Sequence, residues 1–108
     1  MIVNYFLKFQ MKLLTKALLK KLPNIGENEK NNREHIAHVK LFGGSCWSWF
    51  ISEFNPDTKE CFGWIEGLEN ELGYFSLTEL EELKFPPFGL PVERDICFES
   101  TPLKELMN

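Results

Sequence analysis

The chain has 108 residues, of which 44% are hydrophobic, 14% aromatic and 26% charged. These values indicate one soluble globular domain and exclude a disordered or fibrous chain. The net charge of −4 argues against a protein that coats duplex nucleic acid, because such proteins neutralise phosphates with Lys and Arg.

The charges are divided unevenly along the chain. Residues 1–40 contain eight Lys/Arg and three Asp/Glu, which gives +5, whereas residues 41–108 contain four and thirteen, which gives −9. We interpret this asymmetry as two solvated outer surfaces. The alternative is an electrostatic field that steers a charged partner.

Residues 1–10 are apolar but too short to span a bilayer, and they lack the features of a signal peptide. We therefore predict a cytoplasmic protein with no membrane segment. Met11 is a better start, so we predict that residues 1–10 extend from a single domain formed by residues 11–108.

The three cysteines, Cys46, Cys61 and Cys97, are widely spaced and form no C-x-x-C pair. An odd number at such spacing does not indicate a disulfide framework. Each lies among aromatic or branched residues in a segment resembling a strand. All three are predicted to be buried, reduced thiols.

The first predicted helix begins at Thr15, whose hydroxyl can cap a segment over residues 16–22. Pro23 ends this helix because proline cannot continue it. Residues 24–34 are rich in Asn and charged residues and include Gly26. We expect them to form a mobile loop that buries nothing.

Alternating apolar and polar residues predict four strands, over residues 36–42, 46–54, 61–68 and 92–98. A hairpin turn at residues 43–45 joins the first two strands. In the second strand the alternation places Trp47, Trp49 and Ile51 on one face, and Ser48, Phe50, Ser52 and Phe54 on the other. In the third strand, Gly63 and Gly67 leave a flat patch that favours packing by a large ring over the approach of a ligand.

Ser76 and Glu79 have the spacing of a capping box, which predicts a helix through Leu83. Residues 73–75 lead into it as a short extended piece. Thr101 followed by Pro102 predicts a cap and a short terminal helix to residue 107. The predicted fold is therefore α+β: a small antiparallel sheet of about four strands covered by short helices.

No catalytic or metal site is evident in the sequence. His35 and His38 lie three residues apart at a strand edge, where their side chains would point in opposite directions. The sequence contains no P-loop, G-x-S-x-G, H-E-x-x-H or dinucleotide-binding motif. We predict no cofactor and no metal ion.

Arg94 and Asp95 lie in a strand that is otherwise apolar, so charge is forced towards a core there. An inward Arg94 needs a carboxylate partner, for which Glu53 and Glu66 are the candidates. The alternative is that Arg94 holds a ligand.

Four segments of the chain resemble the bacterial domain of unknown function 2958. They are residues 11–23, Phe62-Gly63, residues 72–80 with Gly-Tyr-Phe-Ser-Leu, and residues 89–98 with Glu-Arg-Asp. The resemblance covers nearly everything from Met11 onward. It implies an accessory protein of plasmids and integrated mobile elements, often encoded beside antirestriction genes. It implies no activity and transfers no catalytic residue.

The leading hypothesis is a non-enzymatic module that binds another protein. Its binding surface comprises an acidic region, above all Glu79, Glu81 and Glu82, and any exposed tryptophan of the hairpin. A second hypothesis is a single-stranded nucleic-acid binder. In that case bases stack on Trp47, Trp49 or Trp64, and Lys20, Lys21 and Lys40 contact phosphates. A small enzyme with Arg94 and carboxylates in a cleft is the third hypothesis.

Overall fold

The computed structural model describes residues 13–107, and the predicted extension at residues 1–10 lies outside them. The helices are α1 (Lys16–Lys21), α2 (Glu27–Lys30), α3 (Leu77–Glu82) and α4 (Leu103–Leu106). The strands are β1 (Ile36–Ala37), β2 (Val39–Gly43), β3 (Trp47–Asn55), β4 (Glu60–Glu66), β5 (Glu71–Ser76), β6 (Lys84–Phe85), β7 (Leu90–Pro91), β8 (Glu93–Arg94) and β9 (Thr101–Pro102).

The main sheet has five antiparallel strands in the order β5-β4-β3-β2-β8. Two small two-stranded sheets, β1-β9 and β6-β7, flank it. The predicted α+β class is confirmed. The fifth strand is β5, which extends the predicted short piece at residues 73–75 to six residues.

The helix caps follow the sequence signals at two of three sites. The Thr15 hydroxyl accepts from the Leu18 N–H (3.2 Å), and the Ser76 hydroxyl accepts from the Glu79 N–H (3.2 Å). Within residues 13–107 the Glu79 carboxylate accepts no bond from Ser76, so half of the predicted capping box forms. Thr101 does not cap α4, because its hydroxyl donates to the Glu99 carbonyl and its backbone pairs with β1.

The hairpin β2-β3 turns where the glycines predicted it, with Gly44 at φ +63°. In the register of this hairpin Leu41 faces Trp49, and Val39 faces Ile51. A Cβ atom on Gly67 would overlap the Trp47 ring. The predicted packing of a large ring is therefore confirmed at Gly67, whereas at Gly63 a Cβ atom would instead overlap the backbone carbonyl of Phe50.

A β-bulge in β3 changes which residues face the core. Ile51 pairs with Gly63 but Glu53 pairs with Phe62, so Ser52 is an extra residue in the ladder. One extra residue reverses the faces beyond it. Phe54 therefore joins Ile51 in the core, and its predicted place on the opposite face is wrong.

The main core lies on the face of the sheet that carries Val39, Leu41, Trp49, Ile51, Phe54, Cys61 and Ile65. Leucines from the segment before α1, from its end and from α3 cover this face: Leu13, Leu14, Leu22, Leu77 and Leu80. The opposite face packs only in part, where Phe50 meets Ala37 of β1 and Leu103 of α4. The helices α3 and α4 therefore stabilise the sheet by burying leucine side chains against it.

The predicted fourth strand is much shorter than residues 92–98. Only Glu93 and Arg94 pair with β2, at the edge of the sheet. The Asp95 carboxylate then accepts from the Cys97 N–H (2.9 Å), and the Asp95 carbonyl accepts from the Phe98 N–H. Such an Asx turn competes with the ladder and ends the strand.

Residues 24–34 are not a loop that buries nothing, so that prediction is wrong. They contain α2, and Asn28 is only 4% exposed. The Glu53 carboxylate accepts from the Gly26 N–H and the Asn28 N–H, both at 3.0 Å. A buried carboxylate on β3 thereby holds this segment against the sheet.

Candidate functional site

Two of the three predicted tryptophans belong to the core. Trp49 is 5% exposed, and the half-buried Trp47 ring stacks on it with centroids 5.8 Å apart. Trp64 is half-buried on the opposite face, where its indole N–H donates to Glu66 (3.1 Å). Trp49 therefore cannot offer a face on which a base would stack.

Arg94 forms a salt bridge with neither Glu53 nor Glu66, so the predicted pairing is wrong. Its strand β8 pairs with β2, whereas Glu53 lies on β3 and Glu66 on β4. The Arg94 guanidinium donates to the Leu13 carbonyl (3.1 Å). Both Glu53 oxygens accept backbone N–H groups. Arg94 thus joins the N-terminal segment to the edge of the sheet.

The predicted acidic residues Glu79, Glu81 and Glu82 are all exposed on α3. Seven glutamates and no Lys, Arg or His occur in residues 60–83. This stretch forms β4, β5 and α3, and β5 is one of the two edge strands of the main sheet. A strand edge thus coincides with the most acidic part of the chain, and we call β5 with α3 the acidic edge.

The backbone groups that β5 leaves unpaired follow from its register. The Leu77 N–H donates to the Lys59 carbonyl (3.0 Å), immediately beyond the Ser76–Glu60 pair. Bonded pairs alternate along an antiparallel ladder. Gly73 and its alternate neighbours thus bond to β4, whereas the N–H and C=O groups of Leu72 and Tyr74 point away from the sheet.

Large apolar side chains accompany these free backbone groups. Tyr74 is 60% exposed and Leu72 is 46% exposed. The Tyr74 ring lies 5.0 Å from the ring of Phe62 on β4, measured between centroids. The sequence pattern gave no sign of this edge, because exposure of a strand depends on which neighbours pair with it.

A second feature that the sequence analysis did not predict is a buried polar cluster between α2 and the sheet. Ser52, at the bulge, donates to the Phe62 carbonyl (3.2 Å) and lies 3.1 Å from His35 Nδ1. The Asn28 amide lies 3.3 Å from the same His35 nitrogen. The sequence feature that could have indicated this cluster is the pair of polar residues Ser52 and Glu53 inside the otherwise apolar strand β3.

The cysteines differ in exposure, contrary to the prediction that all three are buried. Cys61 is buried, whereas Cys46 in the hairpin turn and Cys97 in the Asx turn are exposed, and all three are free thiols. Burial, with a smaller contribution from Glu60, raises the pKa of the Cys61 thiol to about 12. Cys61 is therefore a neutral core group rather than a nucleophile.

The histidines do not assemble a metal site with other residues in the part of the chain that the structure describes. No three His, Cys, Asp or Glu side chains from residues 13–107 lie close enough to hold an ion. His38 Nδ1 lies 2.8 Å from the Ser100 hydroxyl. Burial and the nearby Lys21 charge lower the pKa of His38.

None of the helices within residues 13–107 is long enough to cross a bilayer.

The fold and site define a small α+β domain with an open, acidic sheet edge. The chain belongs to the family described as "Protein of unknown function (DUF2958)", whose model matches residues 13–106. The resemblance inferred from the sequence is thereby confirmed. No curated protein and no solved structure matches the chain.

Proposed function

We propose that the protein is a binding module that captures a basic, extended segment of a partner protein along β5. The observation that carries this proposal is the open edge of the main sheet. Among residues 13–107 no strand pairs with the outer side of β5. A partner strand can satisfy the outward N–H and C=O groups of Leu72 and Tyr74.

The side chains beside this edge suit a partner with alternating apolar and basic residues. Leu72 and Tyr74 project on the same face, so a partner can pack apolar side chains against them. A depression of about 490 Å³ lies at the end of β5, and Glu60 and Glu79 are among the residues that line it. Lysine or arginine side chains fit there by charge, while an acidic segment is repelled.

The binding surface proposed here contains the acidic residues predicted from the sequence, but its exposed apolar contacts are Leu72 and Tyr74 instead of the tryptophans. The nucleic-acid alternative needs exposed rings beside a basic groove. Trp49 is buried, and the Lys40 ammonium lies over the Phe50 ring (5.6 Å). No basic groove with exposed tryptophans supports that alternative among the described residues.

We further propose that the module works in the cytoplasm as an accessory protein of a mobile element. Exposed free thiols at Cys46 and Cys97 suit a reducing compartment. The association with mobile elements is carried over from the family resemblance alone.

A proline at Leu72 tests strand addition directly. The Leu72 N–H points away from β4, so Leu72→Pro removes a donor that only a partner uses, and the ladder stays intact. Leu72→Thr is the matched control, because it removes the same apolar side chain and retains the N–H. Thermal unfolding of both variants verifies that each is folded.

The probe is a fluorescently labelled peptide of about eight residues that alternates lysine and valine. We expect saturable binding to the wild-type chain by anisotropy, with Leu72→Pro at least about tenfold weaker than Leu72→Thr. A peptide N-methylated at every second residue should lose binding, since its backbone cannot extend the sheet. Equal affinity of the two variants, or no saturation by about 1 mM peptide, rejects the proposal.

Charge-reversal variants distinguish the contribution of the acidic edge to binding from the effect of the net charge of the protein. Glu79→Lys, Glu81→Lys and Glu82→Lys together should abolish binding of the lysine peptide without lowering the unfolding temperature, because all three side chains are exposed. The control carries the same charge change at three other exposed glutamates: Glu29→Lys, Glu99→Lys and Glu105→Lys. If both triple variants lose binding equally, the effect is net charge and not this surface.

A further inference from the structure

A cavity of about 410 Å³ opens between the end of α1, the segment of α2 and the sheet. Lys20, Lys21 and Arg33 contribute to its walls, and His38 lies among them. Asn28 and Ser52 lie at its buried side. None of the residues that line this cavity belongs to the acidic edge.

The cavity has a surplus of cationic groups. Among residues 13–107, neither Lys20, Lys21 nor Arg33 forms a salt bridge. Two carboxylates, Glu27 and Glu34, also line the cavity, but Glu34 binds Lys104 outside it (3.1 Å). Cations that lack a protein partner and converge on one space create a positive potential that attracts an anion.

The segment that brings Arg33 to the cavity is held in place by the protein itself. Glu53, 2% exposed, accepts two backbone N–H groups of this segment. The Arg33 N–H donates to the Asn28 carbonyl (2.7 Å), which fixes the backbone where Arg33 begins. The cavity is therefore formed before a ligand arrives, which reduces the entropy lost on binding.

We propose that this cavity binds a phosphorylated sugar or polyol. The Arg33 guanidinium presents parallel donors that match phosphate oxygens, and the two lysines add charge. The exposed Glu27 carboxylate supplies an acceptor for hydroxyl groups. The volume falls within the range of small-molecule sites and exceeds what inorganic phosphate needs.

The chemistry of the lining favours this ligand class over a nucleic-acid strand. The lining contains no Trp, Tyr or Phe on which a base could stack, and its apolar members are Leu22, Pro23 and Ile36. Lys40, the third cation that a strand would use, is not among the lining residues.

Isothermal titration calorimetry of the full chain with ribose 5-phosphate tests the proposal. We expect saturable binding with a Kd below about 1 mM, and at least about tenfold weaker binding of ribose and of inorganic phosphate. Absence of saturable heat, or equal binding of ribose, overturns the proposal. Tighter binding of an octathymidylate strand also overturns it, because the cations would then serve a polymer.

Charge-neutral substitutions locate the binding. Arg33→Gln and Lys21→Gln should each weaken ribose 5-phosphate binding by at least about tenfold. Lys30→Gln is the matched control, because Lys30 is exposed on α2 and does not line the cavity. Should Arg33→Gln unfold at lower temperature, Lys21→Gln decides the outcome. The same affinity in the folded cavity variant and the control rejects this site.

The imidazole of His38 provides a readout that a purely structural role of the cations would not change. Bound phosphate favours the charged imidazolium, so the pKa of His38 should rise on addition of ribose 5-phosphate. The titration is followed by the NMR signal of the His38 ring C–H. An unchanged His38 pKa at saturating ligand places the ligand elsewhere and overturns the proposal.

Discussion

Replacing Glu53 with glutamine measures how strongly the buried carboxylate holds the segment of α2. The carboxylate is 2% exposed and accepts from the Gly26 N–H and the Asn28 N–H, both at 3.0 Å. Glutamine retains one acceptor oxygen, but its NH2 group then faces the other N–H. One hydrogen bond is lost, and a donor is left opposite a donor in a buried place.

The expected magnitude follows from the strength of such bonds. A hydrogen bond to a charged group contributes about 1.5–3 kcal/mol, and the remaining bond weakens when the acceptor becomes neutral. We expect the free energy of unfolding to fall by about 2–3 kcal/mol. For a domain of this size that corresponds to a decrease of about 10–20 °C in the unfolding temperature.

Urea unfolding followed by tryptophan fluorescence measures this free energy. Glu71→Gln is the control, because Glu71 is an exposed glutamate of the same sheet. Amide hydrogen exchange at Asn28 supplies a local readout, which should speed up in Glu53→Gln. A loss below about 0.5 kcal/mol, with unchanged exchange at Asn28, would refute the assigned role of Glu53.

Three further predictions concern the thiols and the glycines. Cys46 and Cys97 should react rapidly with a thiol reagent in the native protein and Cys61 only after unfolding, so a native count of three reactive thiols contradicts the assigned burial. The pKa of Cys61 is raised from 9.0 to about 12, so the folded state retains a proton that the unfolded state loses above pH 9. Relative to Cys61→Ala, the free energy of unfolding should therefore be unaffected below pH 9 and fall by about 1.4 kcal/mol per pH unit above it; parallel pH profiles would contradict this. Gly67→Ala should lower the free energy of unfolding, measured in urea, by about 1–3 kcal/mol, because the added Cβ atom overlaps the Trp47 ring. Gly73→Ala is the control and should not destabilise the protein, because the space around Gly73 is open. Equal effects of the two substitutions would exclude a steric cause.

Signals that act over a few residues identified several elements correctly from the sequence. Thr15 and Ser76 cap α1 and α3, since each hydroxyl bonds an N–H three residues away. Gly44 adopts the positive φ that a tight turn requires. The signal failed at Thr101, whose hydroxyl bonds the Glu99 carbonyl instead of a helix N–H. The backbone of Thr101 pairs with β1, which no local pattern indicates.

The acidic character of the candidate site could be predicted from the sequence, whereas its geometry could not. Glu79, Glu81 and Glu82 are exposed as a run of charge predicts. The roles of Leu72 and Tyr74 depend on β5 being outermost, and the order of strands is a property of the whole sheet. Tryptophan content likewise does not show which ring is buried.

The sequence by itself determined the α+β class, the capped helices α1 and α3, and the hairpin, because each depends on neighbours a few residues apart. Only the tertiary structure decided the position of the bulge at Ser52. That one extra residue turns Phe54 into the core and lets Glu53 reach residues 25 and 27 positions away. Alternation within a strand fixes relative faces, but a bulge reverses them, and it is specified by packing and hydrogen bonds between distant parts of the chain.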